Sequence, residues 1–344
     1  MLSFEEFQEY CKEHVLDAMP EEFENAKVSV NEVIKNNGRV LTALTVLPDG
    51  GNVAPNIYLD GFYMEYQHGS DLDDIMEEMA DLCMSNIHPP QTIGNIGQDF
   101  KNVDFVKDRI IMVAVNREKN AELLSDVPHT VKEDLALIYK VLISSEDTGT
   151  ATITIHNDHL PFWNMTTEEV HELAMKNTRE LLPVTVQSMN DVMREIFSKD
   201  GMDEEMLSIL CDDRPADQQM FVISNTSKVN GAASMFYEDV LSDLAEKMGS
   251  NLYILPSSIH ESIAVSARMG GADELAQMVA DINAGQVAEE EQLSDHVYLF
   301  DAEAKTLTLA DTSTQELGIT AAESREFYET AQTNEEGSRP RHHR

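Results

Sequence analysis

The sequence predicts an α+β protein made of two or three strand-pair-plus-helix units, with mostly antiparallel sheets and the helices packed on one face. Two observations lead to this prediction. Strand-like runs occur in pairs joined by turn residues, and an amphipathic segment with helical spacing follows each pair, starting near Lys27, Asp134 and Met220. Such a unit would bury the apolar side of its strand pair beneath its helix.

Chain length and the distribution of apolar residues predict the domain organisation. A chain of 344 residues, of which 42% are hydrophobic, can form two domains, or one domain built from several units, with a substantial core. The segment 88–97 is rich in Pro, Gly and Asn and lacks periodicity, which is typical of a loop. We therefore expect an N-terminal α+β unit at 1–95, a larger C-terminal α+β domain at 96–312 and a disordered tail at 313–344.

The N-terminal unit should begin with a helix and continue with a hairpin. Ser3 and Glu6 have the spacing of a capping box, and apolar residues then recur at helical spacing. Strand-like runs at 27–34 and 39–47 flank Asn36-Asn37-Gly38, whose residue types tolerate positive φ in a tight turn. The remaining elements expected here are a short apolar run at 56–59 and an amphipathic helix at 71–84.

The middle of the chain should contain a second strand pair and two helices. The strand-like runs lie at 108–115, which also fits the end of a helix, and at 134–143 and 150–156. Thr166 and Glu169 have the spacing of a second capping box, and Pro183 should end that helix. A short helix is expected at 188–197.

The last part of the chain should add a third strand pair, two helices and a closing hairpin. The expected strands lie at 220–224, 232–236, 252–255, 262–267, 296–300 and 306–309. One helix is expected at 238–248, where Gly249 provides the C-terminal stop, and another at 273–283.

The charge balance limits the possible partners. There are 63 acidic and 24 basic residues, giving a formal net charge of −39. A nucleic acid would be repelled, and no stripe of Lys and Arg offers phosphate contacts, so direct nucleic-acid binding is not expected. The acidity fits either a solvated surface or a mimic of nucleic acid that occupies a basic groove of another protein.

The sequence favours a cytoplasmic setting. No apolar run approaches the roughly 18 residues that a membrane span needs, so no membrane association is expected. The first ten residues carry acids where a signal peptide carries Lys or Arg. The cysteines are odd in number and scattered, which indicates free thiols in a reducing compartment. They are Cys11, Cys83 and Cys211.

The segment 255–261 holds the strongest candidates for catalysis. Ser257, Ser258, His260 and Glu261 follow a predicted strand, and a hydroxyl, a base and an acid are the parts that nucleophilic catalysis needs. His129 could join them from a distant segment. The alternative is a turn between strands in which these groups bond locally, since the G-x-S-x-G elbow is absent. We favour the turn.

His156, Asp158 and His159 are the candidates for metal ligation, because two imidazoles and a carboxylate lie within four positions. A structural zinc site needs a fourth ligand, and no Cys or His pair elsewhere is an evident complement. The H-E-x-x-H signature is absent after both His171 and His260. Phosphate-binding glycine motifs are also absent, so no metal and no cofactor is assigned.

Several phrases resemble an uncharacterised family of gut-dwelling anaerobic (Clostridia-type) bacteria, known only as a domain of unknown function. The phrase Leu-Pro-Ser-Ser-Ile-His-Glu at 255–261 is the most specific of them. The others lie at 116–120, 128–129, 134–136, 155–157, 168–171, 231–233 and 293–298. The resemblance implies a bacterial cytosolic protein with an α+β fold, and it implies no activity, cofactor or catalytic residue.

The leading functional hypothesis is a soluble, acidic, non-enzymatic binding or regulatory protein whose partner is another protein. The main alternative is a hydrolase or transferase that uses the 257–261 turn, and it requires His129, Ser258 and His260 to share one pocket. The third hypothesis is inhibition of a nucleic-acid-binding enzyme by charge mimicry. The oligomeric state cannot be read from these patterns.

Overall fold

The computed structural model describes residues 1–50, 54–86, 99–146, 149–199 and 214–310, and it confirms the α+β class. Within these ranges the strands form antiparallel sheets of three, four and six strands. The predicted loop at 88–97, the boundary at 95, Cys211 and the predicted tail at 313–344 lie outside the described residues. The two-domain division therefore stays a prediction.

The N-terminal part packs three helices against the three-stranded sheet. Its elements are α1 Phe4–His14, β1 Lys27–Ile34, β2 Val40–Leu47, β3 Asn56–Tyr58, α2 Leu59–Gln67 and α3 Leu72–Asn86. Both hydrogen bonds of the capping box between Ser3 and Glu6 are present. The hairpin turn is confirmed, since Asn37 and Gly38 have φ of 60° and 69°.

The middle of the chain builds the four-stranded sheet. Its elements are α4 Val103–Lys107, β4 Ile110–Asn116, α5 Ala121–Asp126, β5 His129–Lys132, β6 Leu135–Glu146 and β7 Gly149–Thr154. The long strand β6 pairs with β4 along one edge and with β5 and β7 along the other. The ambiguous run at 108–115 is thus a strand.

The rest of the described chain builds the six-stranded sheet, whose order is β13-β12-β10-β11-β9-β8. Before the 3-10 helix Gly231–Phe236 come α6 His159–Trp163, α7 Thr167–Leu181, β8 Val184–Ser188, α8 Met189–Lys199 and β9 Phe221–Asn225. After it come α9 Glu238–Met248, β10 Leu252–Leu255, β11 Ser262–Ser266, α10 Ala272–Gln286, β12 Tyr298–Asp301 and β13 Thr306–Leu309. The capping box between Thr166 and Glu169 is confirmed.

The four-stranded and six-stranded sheets share one large core, while the N-terminal part has a core of its own. Alternate residues of β4, including Met112 and Ala114, join the core that also contains Phe221 and Tyr298 of the six-stranded sheet. A separate cluster around Phe7 fills the N-terminal part. The alternation arises because successive side chains of a strand point to opposite faces.

Two details of the predicted architecture are wrong. Residues 232–236 form a 3-10 helix and not a strand, and β9 pairs with β8 and β11 instead. Helices also cover both faces of the six-stranded sheet. Leu241 of α9 packs into the large core, whereas Val279 of α10 packs with Leu255 and Val265 on the opposite face.

Several elements were not predicted, among them the short strands β5 and β8 and the short helices α4 and α6. Leu59, expected to end a short apolar run, begins α2. In the described residues, no helix is both long and apolar enough to cross a membrane.

Candidate functional site

Three of the phrases singled out in the sequence, at 116–120, 255–261 and 293–298, meet in one place, which we call the polar junction. It consists of the 255–261 turn, the loop 289–294, residues 116–120 and the hairpin turn at 36–38. Ser257 O accepts from Leu293 N–H at 2.9 Å, and Ile259 N–H donates to Glu291 O at 2.8 Å. The 255–261 turn is therefore paired through its backbone to the loop 289–294.

Ser258 and His260 lie side by side, but their polar atoms are used within the fold. The buried Ser258 Oγ accepts from the His260 backbone N–H at 3.0 Å. His260 Nδ1 lies 3.3 Å from Asn230 N–H, and Nε2 lies 3.4 Å from a Glu291 carboxylate oxygen. Because Nδ1 accepts from a backbone donor, the ring proton is on Nε2, so neither nitrogen is free to deprotonate Ser258.

The other candidates of the Ser/His/Glu hypothesis lie apart. His129 is on β5, in the four-stranded sheet, with Nδ1 at 3.0 Å from Val127 O. In the described part of the chain, no hydrogen bond joins His129 to Ser258 or His260. The acid facing His260 is Glu291, not Glu261. The catalytic assignment of these residues stays a prediction.

Gly231 fits against the 255–261 turn with no space for a side chain. Ser224 Oγ donates to His260 O at 2.7 Å, and this pair faces the Gly231 Cα. A Cβ added at Gly231 would lie 2.3 Å from Ser224 Oγ and 2.6 Å from His260 O. Glycine is therefore what lets the 3-10 helix press against the turn.

Asparagine side chains connect the N-terminal hairpin to the rest of the polar junction. Asn37 Nδ2 donates to Glu289 O and to Gln292 O, both at 2.7 Å. Asn120 Nδ2 donates to Asn37 Oδ1 at 2.9 Å, and Asn120 Oδ1 accepts from Asn37 N–H at 3.0 Å. Asn116 Nδ2 donates to Leu293 O at 3.0 Å. These bonds hold three distant segments in register.

Asp134 also belongs to the polar junction, which its position in the sequence did not predict. Its carboxylate accepts from Ser294 Oγ at 2.6 Å and from the hydroxyl of the fully buried Tyr298. These bonds link the four-stranded sheet to the six-stranded one. One signal for this contact was visible beforehand, since Asp134, Ser294 and Tyr298 all lie in phrases of the family resemblance.

The metal candidates lie at the start of α6. His156 Nδ1 lies 2.6 Å from a carboxylate oxygen of Asp126, and His159 Nδ1 accepts from His156 N–H at 2.9 Å. Asp158 occupies the N-cap position without a side-chain capping bond. Burial lowers the pKa of His159, with a smaller contribution from His156. Within the described ranges, no three His, Cys, Asp or Glu side chains gather as metal ligands.

A buried hydrogen-bond chain between β5, β6 and α7 was not predicted. Thr130 Oγ1 lies 2.6 Å from the Tyr139 hydroxyl, which lies 3.0 Å from His171 Nδ1. Burial raises the pKa of Tyr139 to about 12, against the opposite effect of the bond to Thr130. Burial, and then the charge of Lys132, lowers the pKa of His171. The His171 tautomer sets the direction of the chain: the hydroxyl of Tyr139 donates to Nδ1 and accepts from Thr130, or it accepts from Nδ1–H and donates to Thr130.

We expect the contribution of His171 to the free energy of unfolding to fall on acidification. Because the pKa of His171 is lower in the folded than in the unfolded chain, the unfolded chain binds more protons below about pH 6.5. The contribution of His171 is present above that pH and is lost as the pH falls through its folded pKa. Urea titrations of the wild type and of His171→Gln between about pH 7 and pH 5 measure this.

The His171→Gln variant should lose less stability on acidification than the wild type, while His68→Gln, at an exposed position, should behave like the wild type. Equal pH dependence of the wild type and His171→Gln would contradict the assignment.

A groove between α1 and α3 concentrates negative charge. It has a volume of about 500 Å³, and its carboxylates are Asp17, Asp73, Glu77 and Asp81. Tyr10, Ala18 and Met76 add apolar surface, and His14 is its one basic lining residue among those described. His14 Nδ1 lies 2.9 Å from Asp17. We call this the acidic groove.

Comparisons with known proteins give one match. A family model described as a family of unknown function (DUF5688) matches residues 4–302, which covers everything from α1 to β12. Searches of curated proteins and of solved structures each returned no match.

Proposed function

The chain belongs to the DUF5688 family of unknown function, and we propose that it is a non-enzymatic binding protein whose acidic groove takes a basic segment of another protein. The observation that supports this most is the groove itself. Asp73, Glu77 and Asp81 recur every four residues along α3, so they line one side of the groove. Charge complementarity therefore favours Lys or Arg at matching spacing on a partner helix.

The acidic groove destabilises the free protein. Like charges four residues apart on a helix are unfavourable by roughly 0.2–0.5 kcal/mol per pair. No Lys or Arg of the described chain forms an ion pair with Asp73, Glu77 or Asp81. A cationic partner would relieve this repulsion, while Tyr10 and Met76 would contact its apolar side chains.

The proposed setting is the cytoplasm of a gut anaerobic bacterium. The buried thiols of Cys11 and Cys83 are free, which suits a reducing compartment. The resemblance at 255–261 supports the bacterial source. Neither direct nucleic-acid binding nor membrane association is part of the proposal, because a net charge of −39 opposes contact with phosphates.

The hydrolase or transferase alternative is less favoured because both nitrogens of His260 are engaged by Asn230 and Glu291. Charge mimicry of nucleic acid is the second alternative. It also predicts a basic partner, but that partner would be a nucleic-acid-binding enzyme whose binding site duplex DNA contests. Competition by DNA for the captured partner distinguishes the two.

We expect a synthetic amphipathic Leu/Lys helical peptide to bind the wild type in low salt and to lose affinity as salt increases. The triple variant Asp73→Asn, Glu77→Gln, Asp81→Asn should bind about tenfold more weakly, since three screened charge pairs contribute roughly 1–2 kcal/mol together. Fluorescence anisotropy with a labelled peptide measures both effects.

A charge-matched control removes the same three charges elsewhere. Asp243→Asn, Glu246→Gln, Glu303→Gln lies at exposed positions away from the groove and should keep the affinity within about twofold. If both triple variants weaken binding equally, net charge alone explains it and the groove is not the site. If neither triple variant weakens binding, the groove is again not the site.

A further inference from the structure

A second cavity lies where β5, α9 and the β12–β13 hairpin meet. Its volume is about 300 Å³, at the lower end of the range for small-molecule sites. Its apolar floor is formed by the exposed Val131 and the half-buried Phe236 and Leu307, whereas the other apolar lining residues, Met235, Leu241, Tyr298 and Phe300, are fully buried. Such a floor suits an apolar group of a small ligand.

Four charged side chains line the rim of this cavity. Lys305 and Glu238 form an ion pair with each other at 3.3 Å. Lys132 and Glu133 also line the cavity, and neither forms an ion pair with any described residue. The rim therefore offers one cation and one carboxylate, adjacent in sequence, that are not paired.

The backbone at Glu133 supports a role for its side chain. Glu133 has φ of 57° in the two-residue turn between β5 and β6. Gly and Asn adopt this left-handed region readily, whereas other residues adopt it only with backbone strain. A glutamate at this position places a carboxylate on the rim at the expense of turn stability.

We propose that this cavity binds a small zwitterion with an apolar side chain, that is, an apolar α-amino acid. Lys132 would pair with the carboxylate, Glu133 with the ammonium group, and the side chain would lie on the apolar floor. A ligand with one charge would form only one of these two charge-assisted contacts, so it should bind more weakly than a zwitterion. This site is separate from the acidic groove, so it goes beyond the function proposed above.

The test is titration of the full chain with L-phenylalanine by isothermal calorimetry, alongside two analogues. Hydrocinnamate lacks the ammonium group and phenethylamine lacks the carboxylate. We expect saturable binding of phenylalanine, and binding of each analogue weaker by about tenfold or more, since each loses a charge-assisted contact. L-leucine should also bind, because its side chain suits the same floor.

Variants locate the site. Lys132→Met and Glu133→Gln should each weaken phenylalanine binding about tenfold. The matched control is the exposed pair on α7, Lys176→Met and Glu180→Gln, which should leave binding unchanged. The proposal is overturned if phenylalanine and leucine show no saturable binding, if hydrocinnamate binds as tightly as phenylalanine, or if all four variants bind alike. The titrations with the analogues use only the wild type, so they test the proposal even if a variant misfolds.

Discussion

Replacing Gly231 with alanine should lower the free energy of unfolding by about 3 kcal/mol, at the upper end of the range for an overpacked site. The added Cβ would lie 2.3 Å from Ser224 Oγ, 2.6 Å from His260 O and 2.7 Å from Asn225 N. Two of these three atoms belong to backbone, which cannot rotate away as a flexible side chain could. The strand β9 and the 255–261 turn must therefore move away from the 3-10 helix that begins at Gly231. Urea unfolding of the purified chain measures the effect.

The matched control is an alanine at Gly61, an exposed position in the first turn of α2 where nothing lies within 4 Å of the added Cβ. There the same substitution should stabilise the chain by roughly 0.5 kcal/mol, because alanine restricts the unfolded backbone. If Gly231→Ala were as harmless as Gly61→Ala, the close approach of the 3-10 helix to the turn would be wrong.

The parts of the fold that sequence predicted correctly are those with short-range signals. The capping boxes at Ser3 and Thr166 each involve residues three positions apart, and both are present. The turn at Asn37 follows from residues that tolerate positive φ, and Gly249 ends α9 with φ of 63°. Such signals need no knowledge of what the element packs against.

The elements that were missed depend on distant partners. Val184–Ser188 is a strand because β9 pairs along it. Its five residues are too few to show an alternating pattern that would predict a strand. Residues 232–236 have apolar character that suits a strand. They form a 3-10 helix because Gly231 packs against Ser224 and His260, which only the folded chain brings together.

The same limit applies to the candidate site. The sequence placed Glu261 next to His260, yet the carboxylate facing the ring is that of Glu291, thirty residues away. It also offered no reason to connect Asn37 with Asn120 or Asp134 with Tyr298. The family phrases were recognised as specific, but their convergence on the loop 289–294 is a property of the three-dimensional structure.

Replacing Asn37 with alanine should lower the free energy of unfolding by about 4 kcal/mol. The change removes two bonds to Glu289 O and Gln292 O and one from Asn120 Nδ2. Each is worth roughly 1 kcal/mol, and alanine at φ of 60° adds about 1 kcal/mol of backbone strain. Urea unfolding gives the total, and amide hydrogen exchange in the loop 289–294 reports whether the hairpin has separated from it.

Two further variants separate the causes of this loss. Asn37→Gly keeps the left-handed backbone free of strain, so it should recover about 1 kcal/mol of the loss while the loop 289–294 still exchanges fast. The double variant Asn37→Ala, Asn120→Ala should be less destabilised than the sum of the two single variants, because the two amides bond each other. Strict additivity would mean that the reciprocal pair contributes nothing. Unchanged exchange in the loop 289–294 of Asn37→Ala would show that this hairpin does not hold the polar junction in place.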